Sequence, residues 1–176
     1  MFITIESNEL YILDFLRTSL KKMSYEMIPN NKNYRALNIT IEDNKYEIKV
    51  IESTNNLTII SKPFHYSSLI NAIIDFKNSY FENIGPLKFY PSTGAIALND
   101  QTAWLSEKQN KILSRLVCFK KGIERKNLYL SIWPRDKDIS ENKLDTHLTN
   151  LKNLIFNFSD YSLKFSSLKG IIKLRI

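Results

Sequence analysis

The stretch LDTHLTNLKNLI, residues 144–155, decides how the second half of this chain folds. Its apolar residues recur at steps of four and three, which places them on one face of a helix: Leu144, Leu148, Leu151 and Ile155. The other side carries His147, Asn150 and Asn153, although Glu and Lys are better helix formers for a solvated face. The pattern therefore predicts an amphipathic helix whose polar face has a hydrogen-bonding role, and the elements around it indicate which role.

The positive charge of the chain lies in its second half. The chain has 176 residues, of which 43% are hydrophobic and 24% charged, as is ordinary for a folded globular protein, and its formal net charge is +7. Residues 1–80 hold nine basic and nine acidic groups, whereas residues 81–176 hold 16 basic and 9 acidic groups. A neutral domain joined to a basic one predicts a polyanion binder attached to a regulatory or dimerising module. On charge alone, a basic surface that is only solvated is an equal alternative.

The composition argues against an enzyme. The chain has two histidines, one cysteine and four glycines, with no metal-ligand spacing and no glycine-rich phosphate loop. We therefore expect no catalytic residue, no metal and no cofactor. Cys118 lies in the helical pattern NKILSRLVCF and is expected to pack as a small apolar residue. Because the apolar runs are short and the start has no signal-peptide pattern, we expect a cytoplasmic protein without a membrane partner.

The first half alternates between strand and helix patterns. The predicted elements are a strand at residues 2–6, a helix at 9–22, a hairpin at 37–50, a strand at 57–61 and a helix at 66–78. If Asp43 and Asn44 form a two-residue turn, Ile41 faces Tyr46 and Leu37 faces Val50. The hairpin then has one apolar face, and the half as a whole is predicted to be an α/β domain.

The second half begins after the segment NSYFENIGP, residues 78–86, where the helical period stops. Short strands are predicted in residues 87–105, followed by three helices and a terminal hairpin. The helices are expected at residues 106–120 with Ser106 as N-cap, at 125–133 and at 141–158, and the hairpin at 162–176. This order is typical of a winged helix-turn-helix, in which the last helix reads DNA and the hairpin is the wing. The polar face of LDTHLTNLKNLI then has a role, because His and Asn hydrogen-bond to phosphates and base edges.

Residues 87–176 resemble the effector domain of OmpR/PhoB-type response regulators along their whole length. The family's Leu-Thr-x-x-Glu helix start is similar to LSEKQNKIL here, and its Ser-Arg-x-x-Leu helix ending in Trp is similar to ERKNLYLSIW. The recognition helix Val-Asp-x-His-Ile-x-x-Leu-Arg-x-x-Leu corresponds to LDTHLTNLKNLI, and the wing Val-Arg-Gly-x-Gly-Tyr-Arg-Leu to LKGIIKLRI with one inserted residue. The resemblance implies an α+β winged-helix domain that binds double-stranded DNA.

Residues 1–78 resemble a shortened receiver domain, joined to the effector by a linker at 79–86. The Lys62-Pro63 pair matches the family's fifth-strand motif and, by that resemblance, a cis turn. The acidic pair that binds Mg²⁺ in receivers is Glu6-Ser7 here, and the hairpin replaces the phosphoacceptor strand. We therefore predict no phosphoacceptor, no phosphoryl partner for Lys62, and activity independent of phosphorylation. By the same resemblance, this half is expected to be a homodimerisation module.

The resemblance also implies which residues contact DNA. On the recognition helix they are Lys143, His147, Thr149, Asn150 and Lys152; outside it they are Trp133, Ser167 and the wing residue Lys169, which matches a cation of the minor groove. His147 has a surface or capping role as its alternative, and Trp133 a core role. Asn at a position that is often Arg favours adenine over guanine, which would suit an A/T-rich target. The loop PRDKDISE, residues 134–141, matches the family's RNA-polymerase-contacting loop, with a merely solvated loop as the alternative.

The sequence thus predicts a dimeric, phosphorylation-independent transcriptional regulator, located in the bacterial cytoplasm and at the nucleoid when bound to DNA. The alternative is a winged-helix interaction module that docks a partner such as RNA polymerase and no longer reads DNA. Salt-dependent binding to duplex DNA distinguishes the two, because neutralising phosphates produces a steep dependence on salt.

Overall fold

The computed structural model describes residues 2–22, 26–27, 37–45, 47–52, 57–136, 138–139 and 141–175. The chain divides into two compact units, Met1–Tyr80 and Phe81–Ile176, here called the N-terminal unit and the C-terminal unit. Both contain helices and strands, so the protein belongs to the mixed α/β class. No helix among the described residues is long and apolar enough to span a membrane.

In the residues that the structure describes, the N-terminal unit contains a five-stranded sheet and two helices. Its elements are β1 (Phe2–Ser7), α1 (Leu10–Lys22), β2 (Glu26–Met27), β3 (Leu37–Asp43), β4 (Glu47–Glu52), β5 (Leu57–Ser61) and α2 (Tyr66–Ser79). The strand order is β2-β1-β3-β4-β5. β1 runs parallel to β2 and β3, whereas β4 runs antiparallel to β3 and β5. The ends of β1, β3 and β5 that point toward the C-terminus therefore lie at the same edge of the sheet.

Both helices pack on one face of this sheet. Alternate residues of β3 are buried there, and α1 and α2 contribute Leu16 and Ile73, which are fully buried in the same cluster. The intervening residues of β3, Asn38, Thr40 and Glu42, are exposed. This alternation is what a sheet with one covered face requires, because successive side chains of a strand point to opposite sides.

The predicted hairpin forms, but its predicted register is wrong. Ile41 faces Val50 and Asp43 faces Ile48, so Asp43 belongs to the strand and the turn does not lie at Asp43-Asn44. The backbone N–H of Asn44 donates to the carbonyl of Glu47 at 2.9 Å. The shift is even in residue count, so the apolar side chains remain on the buried face even though every predicted partner changes. Tyr46 lies outside the described residues.

The C-terminal unit begins with a four-stranded antiparallel sheet: β6 (Glu82–Ile84), β7 (Leu87–Tyr90), β8 (Ala95–Leu98) and β9 (Gln101–Trp104). The prediction of a linker at 79–86 is wrong for residues 82–84. These residues form β6, in which Glu82 pairs with Phe89 and Ile84 with Leu87. Ile84 is fully buried. Burying this side chain and pairing its backbone make the segment part of the sheet.

Three helices and a small second sheet complete the C-terminal unit. They are α3 (Glu107–Cys118), β10 (Ile123–Glu124), α4 (Arg125–Ile132), α5 (Glu141–Ser159), β11 (Lys164–Leu168) and β12 (Ile171–Arg175), with strand order β10-β12-β11. As predicted, Ser106 caps α3: its hydroxyl accepts from the Gln109 backbone N–H and the Gln109 side chain accepts from the Ser106 N–H. Three helices and a terminal hairpin therefore occur in the predicted order. Cys118 is buried.

Candidate nucleic-acid interface

The inner face of α5 joins the core of the C-terminal unit. Leu144, Leu151 and Ile155 are fully buried and Leu148 is 8% exposed, which confirms the period predicted from the sequence. They pack in one cluster with Leu128 and Tyr129 of α4. This packing fixes the rotation of α5 about its axis and so determines which side chains face solvent.

The outer face of α5, meaning its exposed side chains from Asn142 to Asn153, is polar and carries almost no net charge. Its first half forms a shallow groove of about 390 Å³ lined by Asn142, Asp145, Thr146, Thr149 and Asn150. All five residues are exposed. Amide groups both donate and accept hydrogen bonds, and hydroxyls do the same, so this face can bond to phosphate oxygens and to base edges.

An ion pair ties α4 to the outer face of α5. The Arg125 guanidinium lies 2.6 Å from the Asp145 carboxylate, with side chains 20% and 57% exposed. Asp145 is the acidic group in the groove, and an unpaired carboxylate there would repel a polyanion. Because Arg125 compensates it, the groove offers its amides and hydroxyls without a net negative charge.

Trp133 lies mainly in the core. It follows α4 and is 7% exposed, with its ring centroid 4.8 Å from that of Tyr129 and 5.2 Å from that of His147. The structure thus gives the indole the packing role that the sequence left open as an alternative. His147 is half-buried against it. Contacts of either residue with DNA stay predictions.

Lys143 is engaged within the protein. Its Nζ donates to Asp136 Oδ2 at 2.8 Å and lies 4.8 Å from the centroid of the Trp133 ring. The Tyr129 hydroxyl donates to the same carboxylate oxygen at 2.6 Å. The hydrogen bond from Lys143, followed by that from Tyr129, lowers the pKa of Asp136, and the same bond to Asp136 raises the pKa of Lys143. Lys143 therefore braces the start of α5 against the residues that follow α4.

Lys152 connects α5 to the wing. It is exposed, and its Nζ lies 5.2 Å from the ring centroid of Phe165 on β11. Such a cation over an aromatic face is held by the ring quadrupole while the charge stays accessible. Of the predicted contacts on α5, Thr149, Asn150 and Lys152 are thus exposed, whereas Lys143 and His147 are half-buried.

The wing is a tight hairpin of β11 and β12. Leu168 pairs with Ile171, which leaves Lys169 and Gly170 as a two-residue turn with φ of 49° and 77°. Two successive positive φ values are typical of a type I′ turn, which suits the twist of paired strands. Lys169 is exposed at this tip, next to Leu168, which is 73% exposed, and Ser167 is exposed as well. The tip can therefore present a cation beside an apolar side chain.

A second polar cluster lies in the N-terminal unit, at the sheet edge where β1, β3 and β5 end. Asp43 accepts hydrogen bonds from the Lys62 ammonium and the Tyr11 hydroxyl. Its side chain is 6% exposed. Burial raises the pKa of Asp43, but the hydrogen bonds from Lys62 and then Tyr11 outweigh burial and place it below its usual value. The hydrogen bond to Asp43, followed by burial, raises the pKa of Tyr11 to about 12.

The sequence predicts no phosphoryl partner for Lys62, and the acidic partner that the structure gives it, the Asp43 carboxylate, was not predicted. Because β3 pairs parallel with β1 and ends at Asp43, the carboxylate reaches the sheet edge where Lys62 follows β5. The Lys62-Pro63 bond is cis, as the resemblance implied. Asn8 also accepts from the Asp43 backbone N–H at 2.9 Å. Among the described residues, no group of three His, Cys, Asp or Glu side chains is arranged to hold a metal ion.

No protein-family model and no curated protein sequence matches the chain. Solved structures do match. The DNA-binding domain of CadC from E. coli is 17% identical, with 55% of this chain and 95% of that chain covered and a TM-score of 0.44. The C-terminal domain of the nisin resistance regulator NsrR, a lantibiotic response regulator, is 26% identical, with 53% of this chain and 96% of that chain covered and a TM-score of 0.41.

A further solved structure matches along almost the whole chain. It represents a family of redox sensors in the streptococci that evolved from two-component response regulators. It is 13% identical, covers 99% of this chain and 98% of that chain, and has a TM-score of 0.45.

Proposed function

We propose that this protein is a transcriptional regulator of the OmpR/PhoB type that binds double-stranded DNA with α5 and the wing. The observation that carries the proposal is the outer face of α5, where an exposed groove of amides and hydroxyls lies on a helix held rigidly from behind. A helix of this kind fits the major groove, where Asn pairs bidentately with adenine. The core packing of α5, the Asp136–Lys143 brace and the Arg125–Asp145 ion pair all support this helix.

The groups that bind DNA divide by role. Thr149 and Asn150 are proposed to contact base edges, and Lys152, Ser167 and Lys169 to contact phosphates and the minor groove. His147 is proposed to reach a phosphate with the ring edge that Trp133 leaves free. For Lys143, positioning of α5 replaces the predicted direct contact, because its ammonium is already bonded to Asp136.

The regulator is proposed to act without phosphorylation and as a homodimer in the bacterial cytoplasm. The Asp43 carboxylate is already bonded by Lys62 and Tyr11, and β1 ends in Glu6-Ser7 where a receiver has two acidic groups. Incubating the protein with a small phosphodonor and Mg²⁺ is expected to leave its mass unchanged. A stoichiometric gain of one phosphoryl group that Asp43→Asn abolishes would contradict this part of the proposal.

A second candidate function is an interaction module that docks a protein such as RNA polymerase. One observation favours it: among the described side chains on the outer face of α5, the exposed charges of Asp145 and Lys152 are of opposite sign, so these residues by themselves attract no polyanion. The loop at 134–141 would then be the docking segment.

Binding of the full chain to duplex DNA over a range of salt concentrations separates the two functions. If a dimer neutralises on the order of 6 to 10 phosphates, affinity is expected to fall about 10³- to 10⁵-fold between 50 and 200 mM salt. Fluorescence anisotropy with labelled duplexes of random and selected sequence measures this slope. If the protein binds none of the duplexes in a salt-sensitive way, DNA recognition is rejected in favour of the interaction module.

A further inference from the structure

The outer face of the sheet formed by β10, β12 and β11 carries a group of exposed cations. Lys164 pairs with Arg175 across the hairpin, and Ser166 pairs with Lys173. Ile172 and Leu174, which alternate with these residues on β12, are 1% and 5% exposed and belong to the core. The side chains of Lys164, Lys173 and Arg175 therefore point away from the core, and all three are exposed.

The loop between α3 and β10 adds to this group. Gly122 has a φ of 93°, and a Cβ on it would lie 3.2 Å from the Cβ of Lys173 and 2.9 Å from the carbonyl oxygen of Ile172. The loop thus runs directly against β12 beside Lys173, and its residues Lys120 and Lys121, which come just before Gly122, are both exposed. We call Lys120, Lys121, Lys164, Lys173 and Arg175 the basic face.

This arrangement is unfavourable for the isolated protein. Lys164 and Arg175 are directly opposed across two antiparallel strands, where like charges destabilise a sheet. In the described part of the chain, the five cations have no acidic partner within ion-pair distance. The carboxylate of Glu124 lies nearby, where Glu124 pairs with Ile171, and accepts from the Asn127 amide at 3.0 Å. Stability alone therefore does not account for the basic face.

We propose that the basic face binds the phosphate backbone of the duplex that flanks the base pairs contacted by α5. The inference rests on the proposed DNA-binding function. Two observations assign this occupant. The basic face is continuous with the wing, because β11 and β12 lead from Lys164 and Lys173 to the tip at Lys169. The outer face of α5 has almost no net charge, so the electrostatic part of DNA binding comes from other residues.

The test compares two variants that lose the same charge. Lys164→Gln/Lys173→Gln removes two cations of the basic face. Lys88→Gln/Lys111→Gln is the matched control, because these lysines lie on β7 and α3 of the same unit and have partners of their own: Lys88 lies over the Phe81 ring and Lys111 pairs with Glu107 at 2.6 Å. Binding is measured by anisotropy against random-sequence duplexes of about 40 and about 12 base pairs, the shorter being little more than one helical turn.

On the long duplex, the Lys164→Gln/Lys173→Gln variant is expected to reduce the slope of log affinity against log salt by about 1.8, or about 0.9 for each phosphate contact. On the short duplex, the slopes of variant and wild type are expected to coincide, and the control is expected to match wild type on both. Thermal unfolding checks the fold, and the variant is expected to be at least as stable as wild type because Arg175 loses a repulsive neighbour.

An unchanged slope for this variant on the long duplex, with salt-sensitive binding by the wild type, would overturn the inference and leave the proposed function intact. A wild type with no salt-sensitive binding to either duplex would overturn the proposed function itself. If the variant instead keeps the DNA slope but no longer binds vesicles containing an anionic phospholipid, the basic face contacts a membrane surface and the inference is wrong.

Discussion

At the scale of single residues, the polar side chains of α5 divide into those that position the helix and those that are free to bind. Lys143 and His147 contact the protein, through Asp136 and Trp133 respectively. Thr149 and Asn150 lie in the exposed groove. The sequence motif could not separate these sets, because their separation depends on where residues 129–136 place a carboxylate and an indole.

Replacing Asn150 tests direct base recognition. Asn150→Ala is expected to reduce discrimination at one base pair of the bound site by about 1–3 kcal/mol, because a bidentate amide contact to adenine is lost. The salt slope is expected to stay unchanged, since the amide neutralises no phosphate. Competition binding against a panel of single-base variants of a selected site measures both quantities.

Lys169→Ala is the contrasting variant for Asn150→Ala. Removing the wing cation is expected to lower the salt slope by about 1 and to weaken binding most at A/T-rich flanks, where the narrow minor groove concentrates negative potential. Equal loss of discrimination in both variants, or no effect of Lys169→Ala on affinity and slope, would contradict the assigned roles.

At the scale of elements, the sequence predicted which faces are buried better than it predicted which residues meet. Period-two alternation in the hairpin placed Leu37, Ile39 and Ile41 correctly in the core. Their partners were wrong, because any even shift of register preserves the same faces. The position of the turn settles the register, and Asp43-Asn44 is only one of the places where the sequence allows a turn.

Local signals were reliable where they involve neighbouring residues. The capping box of Ser106 and Gln109 and the spacing of leucines in α5 both act within one or two helical turns. The Lys62–Asp43 and Arg125–Asp145 ion pairs escaped prediction, since residues far apart in sequence meet there only after the sheets and helices have packed. The strand β6 was missed for a different reason: it has only three residues and is followed directly by Gly85-Pro86, a pair typical of the end of regular structure. Arg125 and Asp145 are ordinary surface charges when read from the sequence alone.

The Asp43 cluster predicts how the stability of the N-terminal unit depends on pH. Because folding lowers the pKa of Asp43, its contribution is complete above the unfolded-state value of about 3.9 and is lost as the pH falls through the lower folded-state value. Asp43→Asn is expected to remove this contribution and to cost about 1–3 kcal/mol at pH 7, because Lys62 loses its ion-pair partner. Urea unfolding followed through isoleucine methyl signals of the N-terminal unit measures it.

Asp14→Asn provides the control for Asp43→Asn in the same unit. Asp14 pairs with Arg17 at 3.4 Å, but the two side chains are 77% and 67% exposed, so the pair is expected to contribute less than about 1 kcal/mol. Equal losses of stability in the two variants would mean that Asp43 is no more than a surface charge. The structural role of the cluster would then be rejected.

At the scale of the whole molecule, charge and apolar surface are divided between the two units. The formal charge of +7 lies in the second half, so DNA binding needs no electrostatic help from the N-terminal unit. That unit instead exposes apolar side chains on β5, the end strand of its sheet: Leu57 is 53% exposed and Ile59 is 52% exposed. An end strand has one unpaired backbone edge, which favours pairing with another chain.

We therefore expect the protein to dimerise through β5 and the adjoining edge of α2. The inward residues of α2, Leu69 and Ile73, are fully buried against the sheet and are not available for this contact. Ile59→Asp is expected to convert the full chain from dimer to monomer in sedimentation at micromolar concentration. Leu10→Asp, at a residue of α1 that is 78% exposed, is the matched control and is expected to leave the dimer intact.

Loss of the dimer also has a consequence for DNA binding. Two linked winged-helix units gain affinity because the second binding step is intramolecular, so a monomeric Ile59→Asp protein is expected to bind a two-half-site duplex about 10²- to 10⁴-fold more weakly. Its affinity for a single half-site is expected to match that of wild type, because the C-terminal unit is unaltered. A wild-type chain that sediments as a monomer, or an Ile59→Asp variant that remains dimeric, would contradict this interface. If wild type and variant bind the single half-site with unequal affinities, the substitution disturbs more than dimerisation.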